Sequence, residues 1–358
     1  MGRVRALEER DIPRVVALHR RVLPRDAGET DRPDAHYAYF KEMFLAAPWS
    51  DGQPSLVYED GDGEPIGFLG LMARRMSLYD RPIRAVITAH FIVEPSRRAT
   101  LAGIELLRTA LTGPQDLTIA DTANDISRKL CEGLGATTAL LYSLYWVRLL
   151  RPTEFSVARW SRDHRGAGRV LIPLCRGADA VVTRVLDPFR ARVTATSGED
   201  LDGDTLAMCI SEFGRTRALR AEYDGRTATW LLETLARQPG GGTLRKVLVR
   251  AGSGEIAGWY LYCGNRGGVG EVLQIGAREG WIAEVLDHLF AQAQREGVVA
   301  LVGRIDPRLM HAFSARRCFF HYRGAWMLAY ARDPEVVRII QQGDAFLTYL
   351  ESEWCMRF

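Results

Sequence analysis

"VEPSRRATLAGIELL", residues 93–107, joins the end of an apolar run to the head of an amphipathic helix. Two adjacent arginines, Arg97 and Arg98, stand in the join, and the small residues Ala99, Thr100, Ala102 and Gly103 follow. The first turn of a helix leaves main-chain N–H groups without partners and carries a partial positive charge. Small side chains let an anion approach those amides, and a guanidinium adds a full charge. The stretch therefore reads as a cradle for phosphate groups. The plainer reading is a solvated basic loop ahead of an ordinary helix, and the surrounding elements must decide between the two.

Upstream, "IRAVITAHFIV" (83–93) is nearly all apolar and reads as a buried strand, with His90 and Ile92 on one face and Phe91 and Val93 on the other. Before it, "PSLVYED" (54–60) and "PIGFLGLMARRMSLY" (65–79) flank a DG turn and form a hairpin. "RVRAL" (3–7) is a short strand. "DIPRVVALHRRVL" (11–23) is a helix, with Asp11 placed to cap it and Pro13 in its first turn. "HYAYFKEMFL" (36–45) is a second short helix. Downstream come "DLTIADTAN" (116–124) as a strand, "DISRKLCEGLGA" (125–136) as a helix and "TALLYSLYWVRLL" (138–150) as strand material. This is a mixed α/β layer fold of about one domain.

The pattern then recurs. Residues 151–191 read as a helical connector, and after them "RVTATSGEDL" (192–201) answers "RVRALEERDI" (3–12). "GEIAGWYLY" (254–262) answers "GEPIGFLGL" (63–71), "ALVGRIDP" (300–307) answers "LTIADTAN" (117–124), and "RRCFF" (316–320) answers "GLGA" (133–136). Four matches in the same order argue for two copies of one fold. The expected division is 1–150, a connector at 151–191, and a second copy over 192–358.

Strand, "VEPSRRATLAG", helix, strand ending at Asn124, then "ISRKLCEGLGA" resembles the GNAT superfamily of acyl-CoA-dependent N-acyltransferases. Val93, Pro95, Arg98, Gly103, Asn124 and Gly135 match the family's spacing. Leu101 stands where the first glycine is expected, Cys131 where a tyrosine usually sits, and Ala136 in place of phenylalanine. The duplicated form resembles mycothiol synthase and the Fem-type aminoacyl-tRNA-dependent transferases.

The resemblance implies two tandem GNAT-like units, each a mixed, mostly antiparallel sheet flanked by helices. It implies acetyl-CoA or another acyl-CoA as donor and a small-molecule amine, such as an amino sugar or amino acid derivative, as acceptor, with no metal. The coenzyme would lie against Ile92, Val93, Arg97, Arg98, Ala99, Thr100, Leu101, Ala102, Gly103 and Asn124. A main-chain N–H near Ile92 or Val93 would hold the oxyanion.

A protonated amine needs a base, and His90, which titrates near neutrality, is the leading side-chain candidate. Its alternative is a satisfied core histidine; Glu94 and Asp121 are weaker candidates. Cys131 would protonate the leaving thiolate or simply fill an apolar helix face. An acceptor pocket is expected from residues 24–50, with Asp26, Glu29, Asp31 and Asp34 attracting a cation and Tyr37, Tyr39 and Trp49 as aromatic walls. The second copy keeps only Arg278 and isolated glycines at its helix head and reads as degenerate, with Arg304, Asp306 and His311 where its own site would be. The aromatic tail "GDAFLTYLESEWCMRF" (343–358) is expected to dock on the body.

Composition narrows the alternatives. Of 358 residues, 47% are hydrophobic and 25% charged, as in ordinary soluble globular chains. The net charge of +3 comes from dispersed arginines, which argues against a nucleic-acid partner. Six scattered cysteines without a CxxC pair read as reduced thiols of a cytoplasmic protein. No run is apolar for long enough to suggest a membrane span. The rival readings are Fem-type aminoacyl transfer from tRNA and a non-catalytic GNAT-like sensor or scaffold.

Overall fold

The alternating apolar runs around the 61–64 turn build the middle of a first sheet, and their counterparts in the second half build another. The computed structural model describes residues 2–23, 33–48, 52–97, 101–163, 179, 195–238 and 242–353. The first half contributes β1 (Arg3–Ala6), β2 (Leu56–Glu59), β3 (Pro65–Leu78), β4 (Arg81–Val93), β5 (Leu117–Ala123), β6 (Thr137–Thr138) and β7 (Leu144–Leu149). The second contributes β8 (Ser197–Asp200), β9 (Leu219–Ala221), β10 (Thr243–Arg250), β11 (Ile256–Gly264), β12 (Val269–Ala277), β13 (Ala300–Arg304), β14 (Phe319–Tyr322), β15 (Trp326–Ala331) and β16 (Ala345–Phe346).

The first sheet runs β1-β2-β3-β4-β5-β15-β6, and the second β8-β10-β11-β12-β13-β7-β14. Along each path the neighbours are antiparallel except for one central parallel pair, β4 with β5 and β12 with β13. The two paths have the same order of antiparallel and parallel neighbours. One strand of each is exchanged. β7 lies between β13 and β14 in the second sheet, and β15 lies between β5 and β6 in the first. Strand pairing therefore crosses the boundary expected at residue 150. Two smaller strands extend the first sheet, with β9 antiparallel to the end of β3 and β16 parallel to β9.

The helices sit where their apolar stripes require. α1 (Ile12–Val22) and α2 (Pro33–Lys41) cover the inner face of the first sheet, with Ile12, Val15, Val16 and His19 of α1 at helical spacing and buried. Asp11 does not cap α1 with its side chain as expected. Its carboxylate accepts from the Glu8 N–H at 2.9 Å and pairs with Arg5 at 2.6 Å. α3 (Ala102–Leu111) packs on the outer face of the first sheet, and α4 (Asp125–Gly133) follows β5. α5 (Pro152–Asp163) opens the connector; its residues 164–178 and 180–191 lie outside the described residues. In the second copy, α6 (Gly203–Phe213) and α7 (Gly225–Arg237) answer α1 and α2, and α8 (Ile282–Glu296) answers α3. α9 (Met310–Ser314) and α10 (Pro334–Gln341) complete the set.

One continuous core holds residues of both sheets, including Phe40, Phe68, Leu206, Leu231, Trp259 and Tyr349. Two further clusters lie beneath α3 and α8. At the junction of the copies Asp121 of β5 pairs with Arg304 of β13, and their side chains are 1% and 3% exposed. Each is the fifth residue of its segment, 117–124 and 300–307. Burial alone would disfavour the guanidinium charge, but Asp121 together with Tyr349 and Tyr145 raises the Arg304 pKa further.

Candidate active site

β4 and β5 pair from Ala85 opposite Leu117 to Thr88 opposite Ala120, and beyond that point they part. A bulge sits on β4 just past the split, since Gly70 of β3 faces Ala89 but Phe68 faces Ile92. Within this stretch His90 takes a φ of +49°, and on the opposite wall Thr122 takes a φ of +54°. Such a left-handed backbone costs a non-glycine residue about 1–3 kcal/mol and gathers at functional sites. For β-branched Thr122 it is especially unusual.

Between the parted strands lies a cleft of about 320 Å³, lined among others by His90, Phe91, Asp121, Thr122, Asn124, Cys131 and Glu353. Phe91 and Val93 face the cluster under α3, and Ile92 faces the shared core. Ile92 and Val93 stand in register with Phe68 and Gly67 of β3. Gly103 in the first turn of α3 allows close packing here, because a Cβ on it would meet the Phe91 ring at 3.2 Å.

Leu101, the residue that departs from the family pattern, is the N-cap of α3 at φ −73° and ψ −2° and is 61% exposed. The position needs no glycine conformation, and the side chain stands largely in solvent. Ala102 is buried, and Arg97 ends a short turn on the surface. Arg98, Ala99 and Thr100 lie outside the described residues, as do Asp26, Glu29, Asp31 and Trp49.

The His90 ring lies in an aromatic shell. Its Nε2 is 2.7 Å from the Tyr39 hydroxyl, and the rings of His19, Phe40 and Phe44 stand 4.9, 5.6 and 5.9 Å away. Its main-chain N–H turns toward the cleft and donates to Glu353 at 3.3 Å. Both weaker base candidates are engaged, Glu94 by Arg21 at 2.7 Å and Asp121 by Arg304. Asn124 lines the cleft while its side-chain oxygen caps α4, accepting from the Ser127 N–H at 2.9 Å. Cys131 is buried, and burial pushes its thiol up to about 11, so it stays protonated near neutrality. Gly135, at φ +97°, ends α4 with its N–H donating to Glu132. Asp34 is exposed, and the Tyr37 hydroxyl donates to Glu9 at 3.3 Å.

Sequence reasoning missed Thr122 and Glu353. Thr122 looks like any strand threonine, and Glu353 comes from a tail read only for its aromatic residues.

The second copy has the same splay and a different content. β12 and β13 pair in parallel as far as Val272 opposite Gly303, and β12 bulges against β11 beyond it. Leu347, Thr348 and Tyr349 of the tail fill the gap and leave about 30 Å³. The Tyr349 N–H donates to the Leu273 carbonyl at 3.0 Å, and the Gln274 side chain donates to Thr348 at 3.2 Å. Arg278 is drawn to Glu255 and Glu212, at 3.7 and 3.9 Å, and lies over the Phe213 ring. Asp306 pairs with Arg217 at 2.6 Å.

Among the described residues no group of three or more His, Cys, Asp or Glu side chains is placed to hold a metal ion. No helix among them is long and apolar enough to cross a membrane. Among the described residues Cys131, Cys209, Cys263 and Cys318 are buried.

Each sheet is mostly antiparallel, with one central parallel pair that splays beside a helix head. The fold is that of the GCN5-related N-acetyltransferases. A probable N-acyltransferase of unknown function from Enterococcus faecalis superimposes with a TM-score of 0.59 at 8% identity, over 92% of this chain and 72% of that one. A GCN5-related N-acetyltransferase from Anabaena variabilis gives 0.58 at 9% identity over 92% and 72%. One from Kribbella flavida gives 0.57 at 12% identity over 93% and 73%. The sequence itself matches no protein-family model and no curated protein.

Proposed function

We propose that this chain is an N-acyltransferase that moves an acyl group, most simply acetyl, from acyl-CoA to the amine of a small molecule such as an amino sugar or amino acid derivative. One observation carries the reading: of two equivalent splays, the one in the first sheet is open at about 320 Å³ and the other is filled by the chain's own tail. The thioester arm enters between β4 and β5. The diphosphate rests on the amides at the head of α3, with Arg97 and Arg98 supplying charge. The site's main contribution is orientation of the amine and stabilisation of the oxyanion. His90 serves the acceptor side through its ring, beside Tyr39. Cys131, as a protonated thiol, is a hydrogen-bond donor near the leaving sulfur rather than a nucleophile. The second copy closes one side of the shared core and leaves coenzyme binding to the first.

Calorimetry with acetyl-CoA tests this directly, with one molecule bound per chain as the expected result. Arg98→Glu is expected to weaken that binding about tenfold or more and leave the melting temperature of the free protein unchanged. Two molecules per chain, or unchanged affinity in the variant, would count against the assignment. A response to charged tRNA in place of acetyl-CoA would favour the Fem-type alternative.

A further inference from the structure

His90 and Thr122 stand on opposite walls of the splay, both in the left-handed backbone region, and both donate to one carboxylate. The His90 main-chain N–H meets one oxygen of Glu353 at 3.3 Å, and the Thr122 hydroxyl bonds the other. We propose that these two donors form the pocket for the thioester carbonyl oxygen, and that Glu353 fills it until an acyl-CoA displaces it. The proposal rests on the acyl-transfer reading above.

The chemistry of the occupant points the same way. A carboxylate oxygen carries negative charge and accepts hydrogen bonds, as does the oxygen of a tetrahedral intermediate, and donors fixed before reaction stabilise that charge most. The Thr122 donor is held in place from behind. Its own N–H donates to Asp121 at 2.8 Å, and Asp121 is anchored by Arg304 from the second copy. The hydroxyl therefore stands on a buried ion pair rather than on a loose loop.

In the step itself the amine nitrogen bonds to the thioester carbon, and the C=O π pair moves onto oxygen between the two donors. Collapse re-forms C=O, breaks C–S and sends its electron pair to sulfur. The proton shed by nitrogen ends on the sulfur, giving amide and free thiol.

The test measures thiol release from acetyl-CoA, with and without glucosamine, alongside calorimetry of acetyl-CoA binding. Thr122→Val is expected to lower the rate about a hundredfold while KM for acetyl-CoA stays within about twofold, the pattern of a lost oxyanion donor. Thr122→Ser, which keeps the hydroxyl, is expected to restore most of it. Glu353→Ala is expected to tighten acetyl-CoA binding about tenfold, as when an internal competitor occupying nine-tenths of a site is removed. A wild-type rate in Thr122→Val overturns the proposal. So does a Glu353→Ala that loses turnover at unchanged affinity, since the carboxylate would then be acting as a base. Failure of the wild-type chain to bind acetyl-CoA would instead count against the acyl-transfer reading itself.

Discussion

The two splays differ in what fills them more than in how they are built. Each sits where a central parallel pair ends, each adjoins a bulged strand, and each has a helix head nearby. In the first copy the gap is a cleft, with a carboxylate from the tail resting on two donors. In the second, Tyr349 bonds the open strand edge with its own main chain and is fully buried. Exposed strand edges must be paired or covered; the tail covers the edge at the second splay, while the first stays open as a cleft. The same strand order thus holds an open cleft in one sheet and a filled gap in the other, and the difference lies in the occupant.

The largest expected effect comes from breaking the link between the copies. Asp121→Ala leaves Arg304 buried without its acid, which should cost about 3–5 kcal/mol in a urea titration. Replacing the pair together, as Asp121→Leu with Arg304→Met, should recover most of the loss. If the single variant costs no more than a surface change, the junction is not what couples the halves.

A smaller effect separates the helix heads. Gly103→Val pushes α3 away from Phe91, with an over-packing cost of about 1–3 kcal/mol and weaker acetyl-CoA binding. Ala283→Val, at the same turn of α8, should leave that binding unchanged. Equal losses in calorimetry would mean that both heads serve the ligand.

Acid gives the smallest effect and bears on the second copy. Burial holds His288 and His321, both in that half, below the ordinary histidine range. A group whose folded pKa is depressed contributes stability above its unfolded value and loses it as pH falls toward the folded value. The melting temperature should therefore begin to fall below about pH 6.5, and His288→Gln should flatten part of that decline. An unchanged profile in the variant would remove the histidine from the account.

Much of this was legible beforehand. The hairpin around the 61–64 turn, the helix after "VEPSRRATLAG" and the order of elements in the first half follow from apolar periodicity and turn residues, and the structure has them in place. The exchange of β7 and β15 was not legible. Both are six-residue, mostly apolar strands, so either satisfies the gap in either sheet, and local pattern carries no address. Leu101 looked like a defect only because its backbone angles could not be read from its identity. Thr122 and Glu353 escaped notice because they meet across more than two hundred residues of sequence, a relation that periodicity does not encode.

The exchanged strands also govern how the molecule can be made. β5 waits for β15, which lies some two hundred residues further along, so the first sheet stays unfinished until most of the polypeptide has left the ribosome. During that interval an unsealed ladder is open to the equivalent strand of another nascent molecule, the usual route to swapped dimers. High expression at elevated temperature should therefore yield intertwined pairs, and slow synthesis in the cold should favour the closed monomer.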